Sequence, residues 1–175
     1  MAGGRISCVN AIVPPVPQAT DEGPDASRSL SRAALAFAAA TGFGSVVAAR
    51  ADVPGEPLGL RPSFSVPTGL LVGWGAGVAA PWPLPLTALV AARSAVGGLE
   101  RRPGISRPGV LCVGVGLCCL VGTVVEPVTR RLADRPTSVR LAVAINVAAS
   151  VGLIVSGVRA ERIRRSLEDR PPTVS

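Results

Sequence analysis

The sequence predicts an all-α integral membrane protein, built as an up-down bundle of four transmembrane helices. The chain of 175 residues is 48% hydrophobic, with a mean hydropathy of +0.46. Its 18 basic and 11 acidic residues all lie outside four long segments that are apolar on every side. A helix on a soluble core keeps a polar face, whereas a membrane-spanning helix needs none. The predicted transmembrane domain covers residues 33–158, with spans at 33–49, 66–92, 108–125 and 141–158.

Residues 1–32 precede the first span and are expected to form a disordered cytoplasmic tail. Several prolines and an acidic cluster at 21–25 disfavour a packed helix there. The first span, 33–49, is rich in alanine, and Ala49 and Ala51 match the small residues of a signal-peptide cleavage site. Two alternatives therefore stay open for this segment, a retained span or a cleaved signal peptide.

The second span, 66–92, contains three prolines at alternate positions. Pro81, Pro83 and Pro85 cannot donate backbone hydrogen bonds, so we expect the helix to be broken at Pro81–Pro85. Broken backbone at membrane depth persists only where protein or a water-lined cavity satisfies the freed carbonyls. In the alternative arrangement the break lies near the interface, with Trp82 at the level of the headgroups.

The third span, 108–125, and the fourth, 141–158, complete the bundle, and a basic cytoplasmic tail follows at 159–175. The N-terminal tail, the loop after the second span and the C-terminal tail together hold 12 of the 18 arginines. Because positively charged loops stay inside, both termini are predicted to be cytoplasmic. The arginines expected to contact anionic headgroups are Arg101, Arg102, Arg162, Arg164 and Arg165.

Gly69, Gly73 and Gly77 place a glycine at every fourth position of the second span. Small residues at this spacing let two helix backbones approach closely, so this face is expected to pack on a helix of the same chain or of a second copy. Small residues at the same spacing occur in the other spans: Ala36, Ala40, Gly44 and Ala48; Gly114, Cys118 and Gly122; and Ala144, Ala148, Gly152 and Ser156.

Three polar residues are candidates for a transport role. Glu126 adjoins the end of the third span, where a carboxyl in a region of low dielectric could carry a proton or bind a cation. The alternative for Glu126 is an interfacial ion pair with Arg130 or Arg131. Asn146 and Ser150 lie one turn apart in the fourth span and are expected to hydrogen-bond another helix.

No enzymatic activity, metal or cofactor is expected from the residue types present. The chain has no His, which removes the commonest general base and metal ligand. Cys112, Cys118 and Cys119 lack the C-x-x-C spacing of thiol oxidoreductases, so we expect them to pack as small hydrophobic residues. The sequence contains no phosphate loop or nucleophile elbow.

These observations favour a small, non-enzymatic, multi-pass membrane protein that acts in membrane assembly or partner binding. The alternative is a small transporter or channel subunit that uses Glu126 and Asn146 beside the broken second span. The expected partners are a bilayer with anionic headgroups and a second copy or another membrane protein; nucleic acid is not expected, because the arginines flank apolar spans. The use of Arg in place of Lys indicates a bacterium with GC-rich coding, and the plasma membrane is the expected location.

Overall fold

The protein is built from helices, four of them long. The computed structural model describes residues 22–53, 55–56, 65–72, 78–96 and 107–169. The helices are α1 (Glu22–Arg50), α2 (Val66–Val72), α3 (Pro83–Val96), α4 (Pro108–Val125), α5 (Pro127–Arg130) and α6 (Thr137–Glu168), with a 3-10 turn at Leu132–Asp134. The described part of the chain contains no β-strand, and the all-α prediction is confirmed for it.

α1, α3, α4 and α6 form a ring in which α1 and α4 each pack against both α3 and α6. One core cluster joins Leu30 near the start of α1 to Ala92 near the end of α3. The same cluster contains Cys112 near the start of α4, and Ala160 in the last third of α6 packs against it. Helices that are neighbours in the ring are therefore antiparallel, as in an up-down bundle.

α1 begins at Glu22, well before the expected start of the first span at residue 33. Residues 22–32 are thus helical, contrary to the expectation of a disordered tail over 1–32; residues 1–21 lie outside the described part. The reason is that Ala26 and Leu30, one turn apart, are both buried and extend the apolar face of the helix. The Ser27 hydroxyl also donates to the Pro24 carbonyl, 2.9 Å away, within the first turn.

The far end of α1 is closed by a residue in the left-handed conformation. Asp52 has φ 46°, and the Val53 amide donates to the Ala48 carbonyl at 3.0 Å. This is the hydrogen bond of a Schellman motif, with Asp in the position usually taken by glycine. Val53 is buried in a second core cluster, which includes Val128 and Val139 and lies at the opposite end of the ring from Leu30. The chain therefore leaves α1 at the end of the ring that contains this cluster.

The segment expected to be the second span, 66–92, folds differently from a single helix with a proline break. α2 ends at Val72 and α3 begins at Pro83. The Trp82 amide donates to the Leu70 carbonyl at 3.0 Å, whereas 12 residues of continuous helix would separate these positions by about 18 Å. The chain therefore turns back on itself between α2 and α3.

The prolines mark helix starts rather than a break within a helix. α3, α4 and α5 begin at Pro83, Pro108 and Pro127, and Pro136 directly precedes α6. The first amides of a helix have no acceptor within it, so proline costs nothing there and its fixed φ suits the first turn. Pro85 lies in the first turn of α3 for the same reason.

The ring exposes many large apolar side chains, although a few, such as Phe37, Leu30 and Leu153, are fully buried in its interior. Its interior contains many alanines together with Thr41, Asn146 and Ser150. Large apolar side chains of all four long helices are exposed: Leu35, Phe43, Val46, Leu86, Val90, Leu111, Leu117, Val121, Leu141, Val151 and Val155. Soluble proteins carry a largely polar face on such helices, so this surface is suited to an apolar surrounding.

Three helices of the described chain are long and apolar enough to cross a membrane: Pro24–Arg50, Pro108–Val125 and Thr137–Glu168. α3 has 14 residues and a length of about 21 Å, which is shorter than a hydrocarbon core of about 30 Å. The structure therefore supports three of the four expected spans as single helices.

A close backbone contact joins α4 and α6 through glycines that the sequence patterns did not single out. A Cβ added at Gly157 would lie 2.7 Å from the Gly109 carbonyl oxygen, and one at Gly109 would lie 2.6 Å from the Gly157 carbonyl oxygen. A Cβ at Gly116 would lie 2.6 Å from Ile154 and 2.9 Å from the Ser150 carbonyl oxygen. These glycines let the two backbones touch.

The small residues at every fourth position of the third and fourth spans lie on the outward side of α4 and α6, whereas most of those in α1 are buried. Among the described residues, an added Cβ at Gly114, Gly122 or Gly152 would meet nothing within 4 Å, and Cys118 is exposed. In α1, Ala40, Gly44 and Ala48 are buried, although Ala36 is exposed. Of the second-span glycines, Gly69 is buried in α2, and Gly73 and Gly77 lie outside the described residues.

Candidate functional site

Asn146 in α6 is the central polar residue of the ring interior. Its side-chain nitrogen lies 2.9 Å from the Val78 carbonyl, 3.0 Å from the Ala142 carbonyl and 3.3 Å from the Ala40 carbonyl. Three acceptors around one group fix the amide with its NH₂ toward them, because the flipped side chain would point an acceptor at acceptors. Asn146 thus links α6, α1 and the non-helical segment before α3, as expected for a polar residue between helices.

The Val78 carbonyl explains why a donor is needed at this depth. Val78 is buried and precedes α3, so its carbonyl has no place in a helical hydrogen-bond ladder. A buried backbone carbonyl without a partner is costly, particularly away from water. Asn146 supplies that partner and holds the returning chain against the wall of the ring.

Gly44 makes room for this hydrogen bond. A Cβ at Gly44 would lie 2.6 Å from the Val78 carbonyl oxygen and 2.7 Å from the Asn146 nitrogen. No side chain larger than hydrogen fits there without separating α1 from the Val78–Asn146 pair. The signal for Gly44 was present in the sequence as part of the Ala40–Gly44–Ala48 pattern, but the pattern did not identify Val78 as its neighbour.

Two polar atoms in the same interior have no protein partner among the described residues, the Asn146 side-chain oxygen and the Thr41 hydroxyl. Thr41 was not a candidate from the sequence, because a single threonine in an Ala-rich helix carries no distinctive pattern. Ser150 is buried, and its hydroxyl donates to the Asn146 backbone carbonyl at 2.8 Å, a local bond within α6. We expected Ser150 to hydrogen-bond another helix, but among the described residues its hydroxyl bonds within α6.

Glu126 lies between α4 and α5 and is buried. Its Oε2 accepts a hydrogen bond from the Glu56 backbone amide at 3.1 Å. Burial raises the pKa of Glu126 above its usual value of 4.5, the Glu56 amide opposes this, and the nearby Glu56 carboxylate adds to it. Salt bridges among the described residues do not include Glu126, so the expected ion pair with Arg130 or Arg131 is not formed.

Glu126 and Asn146 belong to different parts of the ring. Val128, two residues after Glu126, joins the core cluster that also contains Val53 and Val139. Asn146 lies two turns further along α6 than Val139, about 10 Å deeper by helix rise. The structure therefore places Glu126 at the end of the ring, with Asn146 in its interior.

Some arginines of the C-terminal tail form ion pairs with glutamates, and others are exposed to the surroundings. Arg164 contacts Glu161 at 2.7 Å and also pairs with Glu168, and Arg165 lies 3.4 Å from Glu161. Arg162 is exposed. Glu161 is buried because its side chain packs beside Gly109 of α4. Arg101 and Arg102, the other expected headgroup contacts, lie outside the described residues.

The site residues do not form a metal centre within the described chain, since no group of three or more His, Cys, Asp or Glu side chains comes together there. Cys112 is buried and Cys118 exposed, and neither takes part in a disulfide. Comparison with protein-family models, curated proteins and solved structures finds no match to this chain. The class of protein therefore rests on its own features: an all-helical chain whose three long apolar helices indicate membrane association.

Proposed function

We propose that this chain is a non-enzymatic, multi-pass integral membrane protein that acts in membrane assembly or partner binding. The observation that carries the proposal is the ring's exposed surface of large apolar side chains, which surrounds an interior rich in alanine with the polar side chains Thr41, Asn146 and Ser150. Lipid is as apolar as Leu or Val, so such helices gain little by turning these residues inward and associate instead through close backbone packing. The Gly109–Gly157 contact is packing of this kind.

A fourth crossing is proposed for the segment that includes α3. Residues 78–82 are not part of a continuous helix, and α3 adds about 21 Å, so together they are long enough to traverse the hydrocarbon core. Asn146 supports non-helical backbone at this depth by bonding the Val78 carbonyl. With four crossings, both termini lie on the same side, and the arginine distribution favours the cytoplasmic side of a bacterial plasma membrane.

Membrane extraction and reporter fusions test this arrangement. The full chain should stay with the membrane after alkaline carbonate treatment and be released by detergent. Reporter fusions at Gly98 and Ser175 should report cytoplasm, and one at Gly55 the opposite side. Release of the chain by carbonate would contradict integral insertion, and a fusion at Gly55 that reports cytoplasm would contradict the proposed topology.

Partner binding is supported by the outward small-residue stripe of α4, formed by Gly114, Cys118 and Gly122. Within the described part of the chain, nothing from outside α4 lies within 4 Å of a Cβ added at either glycine, so the stripe is accessible to a helix from outside the ring. Cys118, exposed at its centre, provides a natural probe. Mild oxidation in membranes should link two copies through Cys118 if the partner is a second copy, and Cys118→Ser should abolish that link.

The oxidation experiment has clear alternatives. Gly114→Leu and Gly122→Leu should prevent association through this stripe, whereas Gly116→Leu would act by disrupting the ring itself. A chain that stays monomeric and co-purifies with no other membrane protein, whether or not the stripe is altered, would contradict a partner-binding role at this surface.

The second candidate, a small transporter or channel subunit, is favoured by the buried Thr41 hydroxyl and Asn146 side-chain oxygen, which lack protein partners among the described residues. Such atoms are able to contact water or a small solute within the ring. The Asn146 amide is meanwhile engaged with three carbonyls, which favours a structural role. Proteoliposomes decide between the two: flux lost in Thr41→Val with the fold retained would support transport, and absence of flux in the unaltered chain would exclude it for the solutes tested.

A further inference from the structure

We propose that a groove between α1 and α3 binds an anionic phospholipid, with its phosphate on Arg28, Arg32 and Arg93. The groove has a volume of about 710 Å³, within the range of small-molecule sites. Its wall also contains Leu35, Leu89, Ala92 and Val96, and Ser31. This inference rests on the membrane location proposed above and assigns a lipid site to residues that the sequence patterns did not identify as headgroup contacts.

The arginines are arranged to meet one anion from two helices. Arg28 and Arg32 are one turn apart on α1 and so project to the same side, and Arg93 faces them from the last turn of α3. Asp25 is the acid paired with Arg28, at 3.8 Å between two largely exposed side chains, and such an exposed pair is weak. Ser31 lines the same groove, and its hydroxyl is buried without a partner among the described residues.

The apolar wall indicates a lipid rather than a soluble anion. Leu35 is 60% exposed and Val96 54% exposed, so apolar side chains border the groove on its open side. The predicted edge of the first span lies at residue 33, between Arg32 and Leu35, and that of the second lies at residue 92, between Leu89 and Arg93. Arginines therefore lie at headgroup level with Leu35 and Leu89 beside the first part of an acyl chain.

Native mass spectrometry of the full chain in a mild detergent tests the proposal. Phosphatidylglycerol should give bound adducts at concentrations where phosphatidylcholine gives few. The triple variant Arg28→Gln, Arg32→Gln, Arg93→Gln should weaken phosphatidylglycerol binding roughly 100-fold, because each arginine near an anionic lipid contributes about fivefold. Inorganic phosphate at matched concentration should not displace the lipid, because it lacks the acyl chain.

The matched control is Arg130→Gln, Arg135→Gln, Arg140→Gln, which removes three exposed arginines from the other end of the ring. It has the same net charge as the groove variant and should retain binding. Equal loss in both variants, equal binding of phosphatidylcholine, or full displacement by inorganic phosphate would overturn the proposal. Helix content and size-exclusion profile check that both variants fold, and membrane extraction separately tests the proposed location, so the two failures are distinguishable.

Discussion

Replacing Gly157 with alanine should weaken the contact between α4 and α6, whereas the same change at Gly152 should not. Both residues lie within α6, so each change gains helix propensity, about 0.8–1.0 kcal/mol in water. At Gly157 the added Cβ lies 2.7 Å from the Gly109 carbonyl oxygen and 2.9 Å from Val113. Backbone atoms cannot rotate away, so the helices must separate, and overpacking of this kind costs about 1–3 kcal/mol.

At Gly152 the added Cβ meets nothing within 4 Å, so only the propensity gain remains. The two variants should therefore differ by about 1–3 kcal/mol, which corresponds to roughly 2–12 °C in Tm for a chain of this size. Thermal unfolding of the full chain in detergent, followed by helix content, measures the difference. Because Gly109 and Gly157 share one contact, Gly109→Ala combined with Gly157→Ala should cost less than the sum of the two.

Equal Tm values for Gly157→Ala and Gly152→Ala would refute the close α4–α6 contact and with it the antiparallel placement of these helices. A Gly152→Ala variant less stable than Gly157→Ala would indicate that the outer face of α6 is the packed one. The comparison is informative because the substitution, the helix and the gain in propensity are the same at both positions.

Three further substitutions have expected outcomes. Asn146→Leu should lower the free energy of unfolding by about 1–3 kcal/mol, because the Val78 carbonyl is left buried without its donor. The control Ser150→Ala should be nearly neutral. Equal losses in Tm for the two variants would contradict the bridging role of Asn146. Glu126→Gln should flatten the pH dependence of Tm. Burial raises the pKa of the folded carboxyl, so its contribution to stability is fully present below pH 4.5 and declines as pH rises through the folded pKa. A pH dependence that Glu126→Gln leaves unchanged would contradict the burial of this carboxyl. Cys112→Ala should reduce Tm while Cys118→Ser should not, because of these two cysteines only Cys112 is buried. A larger loss of Tm in Cys118→Ser than in Cys112→Ala would contradict the buried position of Cys112 and the exposed position of Cys118.

Charge segregation was enough to predict an all-helical chain and the boundaries of α4. A helix that is apolar on every side is stable in few environments other than a membrane. The second span was harder, since proline has the same local chemistry at a helix start and at a helix break. Only tertiary structure distinguishes these cases, here through the hydrogen bond from Trp82 to Leu70. The early start of α1 was missed because Leu30 is buried in a core cluster with residues of α3 and α6, which are distant in sequence.

The candidate site was predicted in part for a related reason. Asn146 was identified because a carboxamide in an apolar helix has to find a partner, but its partner Val78 is a backbone carbonyl and carries no side-chain signal. Small residues recur so often in this chain that spacing alone could not select the packed glycines. Gly109 and Gly157 differ from Gly114 and Gly152 only in which side of the helix faces the ring.

The exposed apolar surface and the close-packed interior of the ring impose two separate rules on sequence change. At Ala142, fully buried, the limit is volume: leucine would push helices apart at a cost of about 1–3 kcal/mol, although it is as apolar as alanine. At Leu117, 50% exposed near the middle of α4, volume matters little and polarity is the limit, with an aspartate at mid-membrane depth costing about 2.5–3.5 kcal/mol. Over time, substitutions on the outer surface should therefore vary freely in size but remain apolar. Substitutions within the ring should be restricted in both size and polarity.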